Sequence, residues 1–383
     1  MFKRYDLVII NRSFWPVYPV IGEALLRLAE NLSHSKKVAV VMQDHDNIKD
    51  HLKKNNRGLG IKFFPSKAYS NSSSSLIIRI LDAIFFTFWV KFCILITRPK
   101  NIYISTDPPV IVPFIVAVLS KIMNIKYTYH LQDIHPEATN TIKKLNFYLF
   151  KFLKKIDNFS IRNANLLITL NEEMKEVIIN RSNATNKISI IENPSIILNT
   201  NKNLKKKIGF SFTGNLGRPQ LVNLLIEAIN EYEKKGGILE FVFAGGGVFS
   251  KEILKLSKIN SLVTYHGIVS ATVANSIVSE YEWALLPIED EITRYAFPSK
   301  ISTYVCSGAK ILSICGENTS VAKWIKSKKV GITVNPKLDE IIELFFKLEK
   351  NIIDTSHIKM DRKELIKIFQ MDTFVKKIEN EIF

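Results

Sequence analysis

"FSFTGNLGRPQLVNLLIEAI", residues 210–229, sets a Phe-rich strand pattern against a glycine-bounded turn and then a helical repeat. The strand is expected to end at Thr213, the turn to run through Gly214-Asn215-Leu216-Gly217, and a helix to begin near Pro219. Strand–turn–helix is the building unit of a doubly wound parallel sheet. Glycines let a backbone come close to a ligand, and a helix N-terminus offers free N–H groups to an anion. Arg218 adds a two-pronged donor. An ordinary glycine turn beside a solvated arginine has the same appearance, so the rest of the chain decides between the two.

Outward from this stretch the alternation continues in both directions. Before it lie the strand-like runs "YDLVII", "KVAVVM", "IKFF", "NIYIST", "IKYTYHL", "NLLITL" and "KISIIE". Helix-like stretches fall between most of them, at 20–33, 76–97, 109–123, 141–163 and 172–180. After it come "LEFVFAG", "VTYHG", "WALLP", "KILSI" and "GITV". Short runs rich in Val, Ile, Tyr and Phe suit strands buried on both faces of a parallel sheet. The polar, lysine-rich "NPSIILNTNKNLKKK" (193–207) interrupts the rhythm and reads as a linker. "SNSSSS" (70–75) reads as a polar loop. The expected architecture is α/β: two Rossmann-like doubly wound domains facing across a cleft. They span 1–197 and 198–365, with a C-terminal helix at 366–383 packing back on the first. Ligands in such sheets sit outside the carboxyl ends of the strands.

The 383 residues are enough for two domains, and 46% hydrophobic against 23% charged residues exclude a disordered chain. A net charge of +17 implies an anionic neighbour: nucleic acid, a membrane surface or phosphate-bearing ligands. The lysines are spread along the chain without a basic–aromatic stripe, so nucleic acid is not an expected partner. Cys93, Cys306 and Cys315 form no CxxC pair and fit a reducing compartment. "MFKRYDLVII" reads as a first strand rather than a signal peptide, so secretion is not expected. "LIIRILDAIFFTFWVKFCILIT" (76–97) is long enough to span a bilayer, but Arg79, Asp82 and Lys91 interrupt it. A buried or interfacial helix is the expectation there, with an anionic membrane surface as partner.

"RYAFPSKISTYVCSGAKIL" (294–312) places Lys300 at a helix start, an electrostatically odd position unless an anion binds beside it. Glu289, Asp290 and Glu291 follow the preceding strand, where acids can accept hydrogen bonds from sugar hydroxyls. Ser302 and Thr303 lie one turn into the helix, within reach of a ribose. "FVFAGGG" (241–247) is a second glycine turn after a strand. "YHGIVS" (265–270) ends a strand, and its backbone around Gly267–Val269 can hold a planar base, although His266 as a satisfied histidine at a strand end fits the same residues. In the first half, "YTYHLQDIHPEA" (127–138) gathers His130, Asp133, His135 and Glu137 after a strand. The spacing is a poor metal site, because the ligands share one short loop. A polar catalytic loop with Asp133 foremost is the better reading, although Asp133 as a helix cap before Pro136 fits the same residues. "QDHDN" (43–47) reads as a solvated loop. "RSFWPVYPVIGEALLRLAE" (12–30) puts Gly22 and Glu23 at a helix start behind an aromatic–proline loop that can wall an acceptor site.

Taken together, "GNLGRPQ", "FVFAGGG", "YHG" and "FPSKISTYVCSGAKIL", following "STDPP" and "YHLQDIHPEA", resemble bacterial retaining glycosyltransferases of family 4 with the GT-B fold. The nearest likeness is to lipopolysaccharide and capsule transferases of the amino-deoxyhexose type. The resemblance covers nearly the whole chain in order. It implies a UDP-linked nucleotide-sugar donor in the second half. The donor diphosphate would meet the GNLG turn, Arg218 and Lys300, without a metal or other cofactor. Donor contacts are implied at Gly214, Asn215, Gly217, Gly245, His266, Gly267, Glu289, Asp290, Arg294, Pro298, Ser299, Ser302 and Thr303. Asp133, Lys300 and Arg218 are implied as the catalytic set. A lipid-linked glycan acceptor of surface polysaccharide synthesis (O-antigen or capsule) would meet Gly22, Glu23, His130 and Glu137. The implied location is cytoplasmic, on the inner face of the membrane.

The chain also departs from the family. Where many members carry a glutamate pair around the PSK helix, Tyr295 and Thr303 stand. Gln220 lies where a second phosphate-loop lysine is usual. Two other readings stay open at this point: a sugar-nucleotide 2-epimerase on the same fold, and a non-catalytic polyanion-binding protein.

Overall fold

The computed structural model describes residues 4–70, 76–196 and 206–383. Most of the linker read at 193–207, and of the polar loop at 70–75, lies outside these residues. The chain forms two units, Met1–Pro194 with Met371–Phe383, and Ser195–Gln370.

In the first unit the apolar runs become strands and the amphipathic stretches become helices. In order these are β1 (Leu7–Ile10), α1 (Ile21–Ser33), β2 (Val38–Asp44), α2 (Ile48–Lys54), β3 (Lys62–Lys67), α3 (Leu76–Thr97), β4 (Asn101–Ser105), α4 (Ile111–Met123), β5 (Lys126–His130), α5 (Glu137–Ile142), α6 (Phe147–Asn163), β6 (Leu166–Thr169), α7 (Glu172–Ser182) and β7 (Lys187–Ile190). The seven strands are parallel in the order β3-β2-β1-β4-β5-β6-β7. Strands β1 and β6 are buried throughout, and β2 along all but its last residue, which is why they read as continuous apolar runs.

The second unit repeats the plan with β8 (Lys207–Thr213), α8 (Val222–Lys234), β9 (Glu240–Ala244), α9 (Ser250–Ile259), β10 (Val263–Tyr265), α10 (Ala271–Glu280), β11 (Tyr281–Pro287), α11 (Lys300–Cys306), β12 (Lys310–Ile314), α12 (Ser320–Lys328), β13 (Gly331–Val334), α13 (Leu338–Glu349) and α14 (Arg362–Phe369). Its six strands are parallel in the order β10-β9-β8-β11-β12-β13. Phe210, Tyr232, Phe241 and Phe345 pack ring against ring at its centre. Each such buried ring contributes roughly 1.5–3 kcal/mol. In both sheets the strand order reverses once, between β1 and β4 and between β8 and β11. Loops diverge at these points and leave room for a ligand.

Three sequence expectations need correction. The helix read over 141–163 is two, because residues 143–146 break it and the Asn146 side chain caps α6 by accepting from the Tyr148 and Leu149 N–H groups. The C-terminal helix read over 366–383 is also two, α14 and α15 (Met371–Ile382). Of these, α14 belongs to the second unit, where it packs on α11 and Arg362 Nη2 donates to the Cys306 carbonyl at 2.8 Å. The chain therefore re-enters the first unit at Met371, not at 366. There Phe374, Val375 and Ile378 complete the core that α1 begins. Finally, α8 starts at Val222 rather than Pro219. Arg218–Gln220 forms a 3-10 turn, and Leu221, at φ 45°, separates it from the helix.

Candidate functional site

The loop after β8 and the loop after β9 interlock. Gly214 N–H donates to Ala244 O at 2.8 Å and Leu216 N–H to Gly246 O at 2.8 Å. A Cβ on Gly245 would stand 1.9 Å from Gly214 O, and one on Gly247 would stand 2.4 Å from Leu216 O. Both glycines also hold positive φ, 138° and 149°. These glycines are thus required by the meeting of two backbones, a constraint the sequence pattern alone assigns to a ligand. Gly267 holds φ 67° beside open space, and its carbonyl accepts from Gly245 N–H at 2.7 Å. His266 is exposed.

Lys300 lies against this double turn. Its Nζ is 3.1 Å from the Asn215 carbonyl and 3.7 Å from the centre of the Phe212 ring. A Cβ on Gly214 would stand 3.0 Å from Lys300 Cε, so a bare glycine gives the lysine stem its path. Among the described residues no carboxylate pairs with Lys300. Burial pushes its ammonium down to about 7. Beneath it, Tyr304 is buried and its hydroxyl bridges toward the carbonyls of Leu285, at 3.2 Å, and Thr213, at 3.5 Å. That hydroxyl ties α11 to the ends of β8 and β11. Arg218 is exposed beside the same turn, and Gly217 is packed between Asn215 and Gln220.

Other donor-side candidates have structural employment. Asp290 accepts from Gly316 N–H at 2.7 Å, and a Cβ on Gly316 would meet its Oδ2 at 2.4 Å, so Asp290 braces two loops. Ser302 is buried and its hydroxyl donates to Ser299 O at 2.8 Å, inside the first turn of α11. The Ser302 proton is therefore already given to Ser299 O, so toward a ribose hydroxyl Ser302 can only accept, while Thr303 is half-buried. Glu289 and Arg294 are exposed, and Pro298 and Ser299 lead into α11.

In the first unit, the carboxyl ends of β1, β4 and β5 gather polar groups. Arg12 pairs with Asp107 at 2.9 Å, and the second Asp107 oxygen accepts from Ser13 N–H at 2.8 Å. Asp133 follows β5, half-buried, with its N–H 3.4 Å from Thr106 Oγ1. Burial first, and then the negative charge of Asp107, push the Asp133 carboxyl up to about 6. Its backbone and side chain cap no helix, since α5 begins after Pro136 without a side-chain cap. The Arg12–Asp107 pair is absent from the sequence reading. Its only signal there is that each residue stands two positions beyond a strand at the switch point.

His130 and Glu137, read as acceptor contacts, are both buried and already engaged by neighbours in the first unit. His130 is fully buried, its Nδ1 2.6 Å from the Tyr103 hydroxyl, and burial drives its pKa down to about 3. Glu137 pairs with Arg181 at 2.6 Å, and Arg181 also pairs with Asp157, which accepts from the Tyr129 hydroxyl at 2.9 Å. This buried network locks α5, α6 and α7 together. Glu23 pairs with Arg27 and Arg57. Gly22 lies so close under the 14–15 backbone that a Cβ would meet Trp15 N at 2.3 Å. Asp44 caps α2 through Ile48 N–H at 2.9 Å. Among the described residues, no three His, Cys, Asp or Glu side chains gather as metal ligands.

No protein-family model matches the chain, and no curated protein matches its sequence. Solved structures do. A lipopolysaccharide outer core galactosyltransferase, WaaB, matches with TM-score 0.63 and 18% identity over 99% of both chains. Alr3699/HepE from Anabaena, solved with UDP, matches with TM-score 0.64 and 14% identity over 98% of this chain and 99% of that one. WaaG, a glycosyltransferase involved in lipopolysaccharide biosynthesis, matches with TM-score 0.68 and 11% identity over 98% and 99%. At these identities the likeness establishes the fold, which is GT-B.

Proposed function

We propose that the chain is a glycosyltransferase that moves a sugar from a nucleotide-sugar donor to a glycan acceptor. The observation that carries this is the Lys300 ammonium, held against Asn215 O and the Phe212 ring at the edge of two interlocked glycine turns, with no carboxylate partner among the described residues. A desolvated cation without a counter-charge is costly, and an arriving diphosphate supplies that charge. The neighbours solved with UDP and with UDP-glucose support a nucleotide-sugar donor.

On this reading the second unit binds the donor, with Lys300 and Arg218 on its diphosphate. The finer assignment is a family 4 enzyme that retains anomeric configuration and needs no metal. The bond from the anomeric carbon to the departing phosphate oxygen breaks as the bond to the acceptor oxygen forms on the same face. The acceptor's proton passes to the departing phosphate. Preorganised positive charge on that phosphate lowers the barrier. Asp133 is assigned to orienting the acceptor hydroxyl, and the acceptor to a lipid-linked glycan of surface polysaccharide synthesis at the cytoplasmic face of the membrane. The donor sugar, hexosyl or N-acetylaminosugar, is carried by UDP.

Thermal unfolding with UDP, GDP and their sugars, each with and without EDTA, tests the reading. A ligand at a hundred times its Kd adds about 2.7 kcal/mol of stability. Stabilisation by UDP that survives EDTA is expected. No response to any nucleotide would overturn the donor site.

A further inference from the structure

One flank of the seven-stranded sheet is formed by α3, α4 and α6, with α4 packed between the other two. The 22-residue α3 is apolar on both sides. Its inner side buries Phe86, Val90, Cys93 and Ile94. Its outer side presents Leu81, Ile84, Phe85, Phe88, Phe92 and Leu95 at helical spacing, with Phe88 65% and Phe92 50% exposed. A soluble surface rarely leaves so continuous an apolar ridge in water. On α6, Phe147, Tyr148 and Phe152 are exposed among lysines, and Lys151 Nζ lies 4.3 Å over the Phe147 ring. Lys143 and Lys144 are exposed immediately before it.

The charge on this flank has one sign. The carboxylates of α3, α4 and α6 are Asp82 and Asp157, and both are buried. Every other charged residue in these helices is lysine or arginine. We propose that this flank is a docking surface for an anionic lipid bilayer. The outer ridge of α3 lies in the acyl boundary, and the lysines around α6 meet headgroup phosphates. By length and composition α3 could cross a bilayer. It lies in the interface plane instead, because its inner side is committed to the sheet. Asp82 there accepts from Gln43 Nε2 at 2.8 Å and from the Ser70 hydroxyl at 2.6 Å. A second copy packed by two-fold symmetry on the same face would set lysines against lysines. The inference deepens the lipid-linked acceptor reading and rests on it for its purpose.

Flotation of the full chain with vesicles tests it, using phosphatidylcholine alone or mixed with phosphatidylglycerol, at low and high salt. Partition into the anionic vesicles is expected, falling with salt. Phe88→Asp with Phe92→Asp should cut it by about tenfold or more. Lys151→Glu with Lys155→Glu should cut it by roughly fivefold or more per lysine. Both variants should keep the thermal shift given by UDP, which separates loss of docking from loss of fold. Absence of flotation, equal partition into neutral vesicles, or a dimer that Phe88→Asp dissociates would each overturn the proposal. Flotation without any nucleotide response would leave docking standing and overturn the sugar-transfer reading alone.

Discussion

The Lys300 ammonium rests 3.7 Å above the centre of the Phe212 ring, a ring that is itself 1% exposed. A ring face and one carbonyl attract a cation but do not neutralise it. The Asn215 oxygen and the Phe212 face therefore aim the lysine without satisfying it. The charge stays available to an anion at the turn Gly214–Gly217, and burial makes that charge costly until one arrives.

Removing the lysine tests its role directly. Lys300→Ala should lower turnover by about a hundredfold or more, the scale of losing one preorganised electrostatic contact. Asp44→Ala removes the acceptor that holds the Asp46 and Ile48 N–H groups at the start of α2, and should cost about 1 kcal/mol of stability with turnover within about twofold. Steady-state kinetics on both variants decides, and equal small effects would remove the diphosphate from this turn.

The depressed lysine also sets a pH dependence. Free Lys300 loses its proton as pH rises through about 7. A bound diphosphate favours the charged form and raises that value. Between the free and bound values, binding then takes up a proton, and affinity falls about tenfold per pH unit as pH rises. Nucleotide titrations by calorimetry in buffers of different ionisation heat should show this uptake above pH 7 and lose it in Lys300→Ala. Affinity independent of pH from about 7 to 9 would contradict it.

The doubly wound plan was legible because buried parallel strands leave long apolar runs and the turns between them carry glycine. Element ends were less legible, since Asn146 and Leu221 act through local geometry that composition does not announce. In the site, position after a strand was readable but availability was not. Ser302, Asp290 and His130 occupy promising positions, yet Ser299, Gly316 and Tyr103 already engage them. The Arg12–Asp107 pair joins residues far apart in sequence, which only the β1–β4 switch point brings together.

The interlocked turns predict a stability cost away from any chemistry. Gly245→Ala places a methyl 1.9 Å from Gly214 O and forces alanine to φ 138°. Either effect alone costs about 1–3 kcal/mol, so a loss of at least about 2 kcal/mol is expected. Gly267→Ala shares a positive φ, 67°, but meets open space, and should cost about 1 kcal/mol. Denaturant unfolding of the two variants separates crowding from dihedral strain. Equal losses would show that the two turns do not constrain each other.

Asp133 and Asp107 make the last prediction one of sign. Burial and the neighbouring charge hold the Asp133 carboxyl near 6, so it is ionised above that pH and protonated below. If the carboxylate orients the acceptor hydroxyl, turnover should fall about tenfold per unit as pH drops below 6. Asp133→Asn should be slow and lack that acidic limb. Arg12 partly neutralises Asp107 from 2.9 Å, so Arg12→Ala exposes Asp133 to more negative charge and should move the limb to higher pH. Asp107→Asn removes the like charge and should move it lower. Opposite shifts in pH–rate profiles, with Asp133→Asn insensitive, would place the titrating group at Asp133. An acidic limb unchanged by both neighbours would assign it elsewhere.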